Sequence, residues 1–378
     1  MGRTAVFAPE SADDGAAALV AALAGQGRAF RIGGAGAVAP LPGLFETLTG
    51  GSLGAPRRIL RRQASWCASF AVNAGLFGIG PGARVAILGR LSHSLALDGA
   101  IEGVCLGAEV HLLGGMRPDR QARSLAARGI GVVYATPAQL RQVVEAGVRL
   151  PDLRDVIIGG AKLDMALRAG LQGLAGAARV HEFYGAAETS FITLAQDGDD
   201  PDSVGRPYPG VEVALRDSKG RDVAPGGQGE VWVKSPYLFE GYVGEDRGAA
   251  RWHEGWLCVG EVGQWAAGGV LILRGRAGRM VTIADQNVFP EEIERLIEGL
   301  PGVARVAVVP VHDVARGSVL VALVQGDAGQ EAAILAAMRA RLGPMIAPKA
   351  LIWQQDWPIL PSGKTDLAAL AKRVPKWR

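Results

Sequence analysis

Four stretches of the chain gather glycine, hydroxyl, carboxylate and cationic side chains closely enough to handle a charged ligand. In Thr49-Gly50-Gly51-Ser52-Leu53-Gly54-Ala55-Pro56-Arg57, glycine lets backbone amides curl around an anion, the hydroxyls add donors and Arg57 adds charge. A surface turn has the same composition, and the stretch lacks the Gly-Lys-Ser/Thr of a Walker loop. His181-Glu182-Phe183-Tyr184-Gly185-Ala186-Ala187-Glu188-Thr189 follows an apolar strand pattern, so it belongs at the carboxyl end of a sheet, where α/β proteins bind ligands. A core tyrosine beside a surface glutamate is the alternative reading. Glu261, in Gly255-Trp256-Leu257-Cys258-Val259-Gly260-Glu261, offers an acceptor for hydroxyl groups, and Arg276 follows it as a cation or as a solvated surface residue. Leu360-Pro361-Ser362-Gly363-Lys364-Thr365-Asp366 sets one lysine in a turn. The chain uses 33 Arg and only 7 Lys, which makes that lysine a distinctive choice: a flexible point charge that can insert and withdraw.

Elsewhere the composition is restrictive. The 378 residues are 49% hydrophobic and 20% charged, with 54 glycines, which fits a globular α/β chain with many turns and a sizeable core. A net charge of +3 gives no reason to expect nucleic acid. Cys67, Cys105 and Cys258 lack CxxC spacing and read as buried reduced thiols. The histidines form no metal-binding pair. MGRTAVFAPESADD has acidic residues where a signal peptide needs an apolar run, and no apolar stretch is long enough to span a bilayer. A cytoplasmic protein without a membrane span is expected.

The elements that must position these residues follow from periodicity. Helices are expected over 12–26, 63–77, 94–107, 117–129, 136–147 and 165–175, alternating from residue 83 with apolar strands at 83–89, 109–114, 131–135, 154–160 and 179–185. That alternation implies a parallel sheet covered on both faces. From about 203 to 276, short strands between Gly and Asp turns indicate a β-rich, barrel-like subdomain. Beyond lies a compact α+β pattern long enough to form a small domain. The expected division is 1–276 and 277–378, with the boundary at Arg276 to Arg279.

Together these stretches resemble the motifs of the adenylate-forming superfamily, in its order, over roughly residues 45–378. Thr49, Gly51, Ser52, Gly54 and Pro56 match its phosphate loop TSGSTGxPK, whereas Gly50, Leu53 and Arg57 replace Ser, Thr and Lys. Gly159, Gly160 and Ala161 match a GGA strand end. Tyr184, Gly185 and Glu188 match YGxTE, with Ala187 in place of Thr. Glu261 stands for the Asp of GWxxTGDxG. Val288, Pro290, Glu292, Ile293 and Glu294 match IKxxGxxVxPxEIE, while Thr282, Asp285 and the hinge-position Arg279 depart from it. Lys364 ends PxxxxGK.

The resemblance implies roles. The phosphate loop would grip pyrophosphate, Tyr184 would stack on adenine, and Gly185 and Ala187 would flank it. Gly160 and Ala161 would admit the ring and acyl chain. Glu188 would hold magnesium, Glu261 would accept the ribose hydroxyls, and Arg276 and Lys364 would stabilise phosphate charge. His93 aligns with a side chain that gates the acyl pocket, although a core or surface histidine reads equally well. No charged residue can be assigned to that pocket. The implied fold is a large domain of layered mixed sheets with helices, followed by a small mobile domain. The implied reaction uses ATP and Mg2+ to convert a carboxylic acid to an acyl-adenylate, then transfers it to coenzyme A. The alternatives are loading of a carrier protein's phosphopantetheine, or an attenuated nucleotide-binding subunit. Only 48 residues precede Thr49, fewer than in typical members, which leaves room for a homodimer.

Overall fold

The structure is a computed structural model that describes residues 7–9, 29–32, 41–49, 57–196, 199–244, 250–283, 286–313, 317–360 and 365–375. The helix expected over 12–26, residues 50–56 of the glycine-rich stretch, and Lys364 lie outside the described residues.

In chain order the first elements are β1 (Phe7–Pro9), β2 (Phe30–Arg31), β3 (Leu44–Leu48), β4 (Arg58–Arg62), α1 (Gln63–Phe77), β5 (Arg84–Ile87) and α2 (Ser94–Cys105). There follow β6 (Glu109–Leu112), α3 (Pro118–Ala127), β7 (Val132–Ala135), α4 (Pro137–Glu145), β8 (Asp155–Ile158), α5 (Met165–Leu174), β9 (Arg179–Ala186), β10 (Ser190–Ala195) and β11 (Arg206–Pro207). The β-rich part adds β12 (Glu212–Arg216), β13 (Gln228–Lys234), β14 (Gly241–Tyr242), β15 (Arg251–His253), β16 (Trp256–Trp265) and β17 (Leu271–Arg276). The last part holds β18 (Val281–Ile283), β19 (Gln286–Val288), α6 (Pro290–Glu298), β20 (Val303–Asp313), β21 (Gly317–Gly326), α7 (Glu331–Ile346), β22 (Ala350–Trp353) and α8 (Leu367–Ala371).

Among the described residues the main sheet runs β1-β6-β5-β7-β8-β9-β10-β11, parallel from β1 to β9 and antiparallel beyond. Its strands are apolar on both faces, as a covered parallel sheet requires. Val85, Ile87, Val132 and Tyr134 pack against α1 and α2 on one side. Ala86, Val133 and Ala135 pack against α3, α4 and α5 on the other. This two-residue alternation makes a three-layer α/β domain. Helix starts are locally encoded. Thr136 and Gln139 form a capping box ahead of Pro137, and the Asp164 side chain accepts the Leu167 amide. Helix α1 stops where Gly78 turns left-handed, with φ of 63°.

The chain passes from β5 through α2 to β6 on one side, then returns to β7 on the other. The carboxyl ends of β5 and β7 therefore flank a topological switch point, where α/β sheets bind ligands. A smaller sheet, β14-β4-β3-β2, stands beside it.

The β-rich part after residue 203 is antiparallel, in the order β12-β13-β16, with β15 and β17 both paired to β16. Its described strands form one antiparallel sheet, the β-rich subdomain expected there. The ten-residue β16 takes β15 along one half and β17 along the other, opposite β13. The small part at the end of the chain has its own sheet, β20-β21-β22. Val306, Val308, Leu320 and Ala322 pack against Ile293, Ile297, Ile334 and Met338 of α6 and α7. The opposite face covers Trp357 and Leu370. Arg276 to Arg279, the expected boundary, is a short 3-10 turn between β17 and β18. The cysteines are free thiols, but Cys67 and Cys105 are exposed on α1 and α2 and only Cys258 is buried, contrary to the expectation of three buried thiols.

Candidate active site

The glycine-rich stretch is the connection of the β3–β4 hairpin, and its described ends are fastened together. Thr49 donates its amide to the Arg57 carbonyl at 2.8 Å, while its hydroxyl accepts the Arg57 amide at 3.0 Å. Thr49 is buried and Arg57 half-buried. Gly51, Ser52 and Gly54 lie outside the described residues.

Strand β9 carries Tyr184 and Gly185 to the carboxyl end of the sheet. Gly185 has no alternative there, since a Cβ would stand 1.9 Å from the Ser190 carbonyl oxygen. Tyr184 is 8% exposed, and its hydroxyl donates to the Glu261 carboxylate. Burial, reinforced by that carboxylate, raises the phenol well above its ordinary range. Glu261 reaches Tyr184 from β16, where it is registered opposite Arg276 of β17, and the Arg276 guanidinium approaches it at 3.9 Å. The structure thus brings Tyr184, Glu261 and Arg276 together from three strands distant in sequence. In this arrangement Glu261 serves Tyr184, the group expected to stack on adenine.

Glu188 sits in the turn between β9 and β10, half-buried, and accepts the Tyr242 hydroxyl at 2.8 Å. That turn is tied from beneath by Arg61, which is fully buried. Its guanidinium donates to the Ala187 carbonyl, the Ser190 hydroxyl at 2.8 Å and the Tyr237 carbonyl. Burial lowers the Arg61 pKa to about 10.

Beside the turn lies a cavity of about 170 Å³. Gly159 and Gly160 from the end of β8 form one wall, and Gly185, Ala186 and Ala187 form another. Gly160 adopts φ of 91°, and a Cβ on Gly159 would stand 2.3 Å from the Phe183 ring, so both positions depend on glycine. Ala161 is exposed and is not part of the lining. His93, at the start of α2, lines the cavity, as do the rings of Trp66, Tyr134, Phe183 and Phe191.

Asp98, one helical turn further along α2, also lines the cavity. It corrects the expectation that no charged residue could be placed there. Asp98 is 6% exposed, and burial raises its pKa to about 7 despite the opposing pull of Arg61. Glu102, four residues on, is fully buried and accepts the Tyr134 hydroxyl. The sequence held a signal for the pair. SLALDGAIEGVC is an apolar helix on every side, so acids spaced i, i+4 within it share one buried face. Arg61 was equally legible from alternation, because it shares a strand face with the buried Ile59. Tyr242 left no comparable sign.

At the boundary turn, Arg279 is chelated by Glu294 at 2.7 and 3.2 Å, meets Glu291 at 3.2 Å, and donates to the Val308 carbonyl at 2.9 Å. The arginine at the expected hinge is therefore balanced by two carboxylates of α6. The Arg276 amide reaches Glu291 at 3.3 Å, and Arg274 pairs with Glu292 at 2.7 Å. Around the expected catalytic lysine, Ile359 and Thr365 form a β-bridge, and Trp357 donates to the Thr365 hydroxyl at 3.0 Å. Lys364 itself lies outside the described residues.

The AMP-binding enzyme family matches residues 44–243, and the AMP-binding enzyme C-terminal domain matches residues 292–364. The chain belongs to the AMP-binding enzyme family, a class of AMP-forming ligases whose cofactors are ATP, Mg2+ and coenzyme A. It is 31% identical over 340 residues to YhfT of Bacillus subtilis (strain 168), an uncharacterized acyl–CoA ligase, covering 88% of this chain and 68% of the relative. It is 32% identical to ScoC of Streptomyces coeruleorubidus, a fatty acid–[acyl-carrier-protein] ligase, covering 54% of this chain but 41% of that one. Among solved structures it resembles the amide bond synthetase McbA from Marinactinospora thermotolerans, with TM-score 0.78 and 28% identity over 89% of this chain and 70% of that one. Among the described residues no helix is long and apolar enough to cross a membrane.

Proposed function

We propose that this protein activates a small carboxylic acid as its acyl-adenylate, consuming ATP, and passes the acyl group to the thiol of coenzyme A. The observation that carries the reading is the meeting of Tyr184, Glu261 and Arg276 beside the turn that bears Glu188, a turn whose Gly185, Ala186 and Ala187 line the cavity. The name of YhfT, an acyl–CoA ligase, supports the same chemistry.

Tyr184 offers the ring on which adenine stacks, and Glu261 offers acceptors to the ribose hydroxyls. Binding would exchange the Tyr184–Glu261 hydrogen bond for bonds to ribose. Glu188 fits a magnesium site, because Mg2+ shared with substrate phosphates asks for only one or two protein carboxylates. Tyr242 holds that carboxylate in one orientation. When bound, the metal would neutralise phosphate charge. A carboxylate oxygen of the acid attacks the α-phosphorus, and the bond to the bridging oxygen breaks so that pyrophosphate leaves with the electron pair. Gly51, Ser52, Gly54 and Arg57, with Thr49 at the loop's base, are proposed to receive the departing anion. Arg276 and Lys364 are proposed to stabilise the charge that builds on the α-phosphate, the largest catalytic term at such a centre. A thiolate then attacks the acyl carbon, and AMP leaves.

The test is magnesium-dependent pyrophosphate release over a panel of acids, with and without coenzyme A. Acid-dependent release, with thioester appearing when coenzyme A is added, is the expected result. Lys364→Ala should slow adenylation by about 10²–10³-fold; an unchanged rate removes Lys364 from the mechanism. Silence over the whole panel with ATP still bound would make the chain an attenuated nucleotide-binding subunit. The carrier-protein reading is supported by the name of ScoC, and thioester on a phosphopantetheinylated carrier but not on coenzyme A would select it.

A further inference from the structure

Nothing in the adenylation chemistry uses Asp98, yet its position is costly. A carboxylate withdrawn from water loses several kcal/mol of solvation unless something pairs with it. Asp98 Oδ1 is shielded from solvent and accepts no hydrogen bond from the described residues. Arg61 lies within electrostatic range, but its two terminal nitrogens go to Ala187, Ser190 and Tyr237, its Nε donates to none of the described residues, and no ion pair joins it to Asp98 among them. Glu102, one turn below, accepts the Tyr134 hydroxyl, so that donor is also committed. Much of the wall is aromatic, from Trp66, Tyr134, Phe183 and Phe191, and although His93, Ser94 and Gln139 add polar atoms, no other residue of the lining is an acid, a lysine or an arginine. A pocket for a plain hydrocarbon would be better lined by leucine at this position.

We propose that the acid accepted here carries a hydrogen-bond donor on its acyl part, a hydroxyl or a protonated amine, and that Asp98 receives it. The inference rests on the acyl-adenylate reading and names the substrate class for that same site. Size narrows the class further. A cavity of about 170 Å³ is close to the roughly 150 Å³ that accommodates benzene, so the acyl part is a single ring or a short chain. Charge narrows it from the other side. A second carboxylate on the acid would face the ionised form of Asp98, so dicarboxylates are disfavoured.

The test uses the full chain and acids in matched sets: hydroxy- and aminomethylbenzoates against methyl- and unsubstituted benzoates, and 4-hydroxy- and 4-aminobutyrate against pentanoate. The readout is kcat/KM for pyrophosphate release. Donor-bearing acids should exceed their methyl counterparts by about 10- to 100-fold, the worth of a hydrogen bond to a charged group. Asp98→Leu should abolish or invert that ratio. Asp98→Asn, which keeps an acceptor oxygen but no charge, should retain the advantage of a hydroxy acid and lose that of an amino acid. Each ratio is taken within one variant, so a reduced folded fraction cancels. Wild-type ratios near one, or ratios that Asp98→Leu leaves unchanged, overturn the assignment while leaving the acyl-adenylate reading intact. Failure of every acid to release pyrophosphate from bound ATP overturns both.

Discussion

The two halves of the site treat their polar groups in opposite ways. On the nucleotide side, Tyr184 gives its proton to Glu261, Glu261 lies near Arg276, and Glu188 holds the Tyr242 hydroxyl. Each group already has a partner that ligand binding could replace. On the acyl side, Asp98 is buried with an oxygen that nothing described satisfies, and Glu102 sits behind it. A self-paired site is ready for a ligand whose chemistry never varies. A site holding a buried acid with no hydrogen-bond partner is specific, because only some guests remove the penalty.

Arg61 joins the two halves, and removing it should produce the largest effect on stability. Arg61→Met would leave the Ala187 carbonyl, the Ser190 hydroxyl and the Tyr237 carbonyl without their donor, and Asp98 without its nearest cation. Breaking a buried charge away from such partners costs about 3–5 kcal/mol, to be read from the urea midpoint. If the midpoint hardly moves, the two halves are independent and the contrast between them loses its physical link.

A smaller effect should appear with pH. The carboxyl of Asp98 has its pKa raised by burial to about 7 in the folded chain, against about 3.9 when unfolded. The folded state therefore holds this proton over a range where the unfolded chain has released it. Its contribution to stability is greatest at low pH and is lost as pH climbs from about 4 to about 7. Glu102, also raised by burial, acts in the same direction, and Glu298, raised to about 7, adds to the slope. Asp98→Asn should thus flatten part of the decline in urea midpoint between pH 4.5 and 8, on the order of a few kcal/mol. An identical slope in the variant would mean that Asp98 is ionised and solvated, and that the acyl side is not the unpaired one.

The nucleotide side was legible in the sequence because its residues sit at fixed offsets in contiguous motifs. Tyr184, near the end of β9, and Glu188, in the turn that follows, are four apart, and Glu261 stands three residues after Cys258 in a pattern with its own glycines. The alternation of strand and helix from residue 83 to 186 was legible for a similar reason, since each period is local. The acyl side is assembled from β3, β5, β7, β8, β9, β10 and three helices, and no stretch of chain contains more than a fraction of it. Asp98 and Glu102 had a local sign, being acids inside an apolar helix, but its meaning needed the packing of Tyr134 and Arg61 around them. Pairing within the β-rich part is a long-range matter as well. Strand patterns give the number and length of strands, whereas which half of β16 each of β15 and β17 takes is settled only in the fold.

The smallest expected effect tests the nucleotide half alone. Tyr184→Phe keeps the ring and removes one hydrogen bond to a charged acceptor, which should cost about 1–2 kcal/mol in the urea midpoint. If Glu261 receives the ribose hydroxyls, that same loss releases it for the ligand, so the KM for ATP should fall or stay level while stability drops. The preference among acids should not change, because Asp98 and its neighbours are untouched. A Tyr184→Phe enzyme whose ATP affinity falls in step with its stability would place Tyr184's hydroxyl on the nucleotide itself. One whose acid preference shifts would show that the two halves share their polar groups, and that the orphaned carboxylate on the acyl side is balanced from across the site.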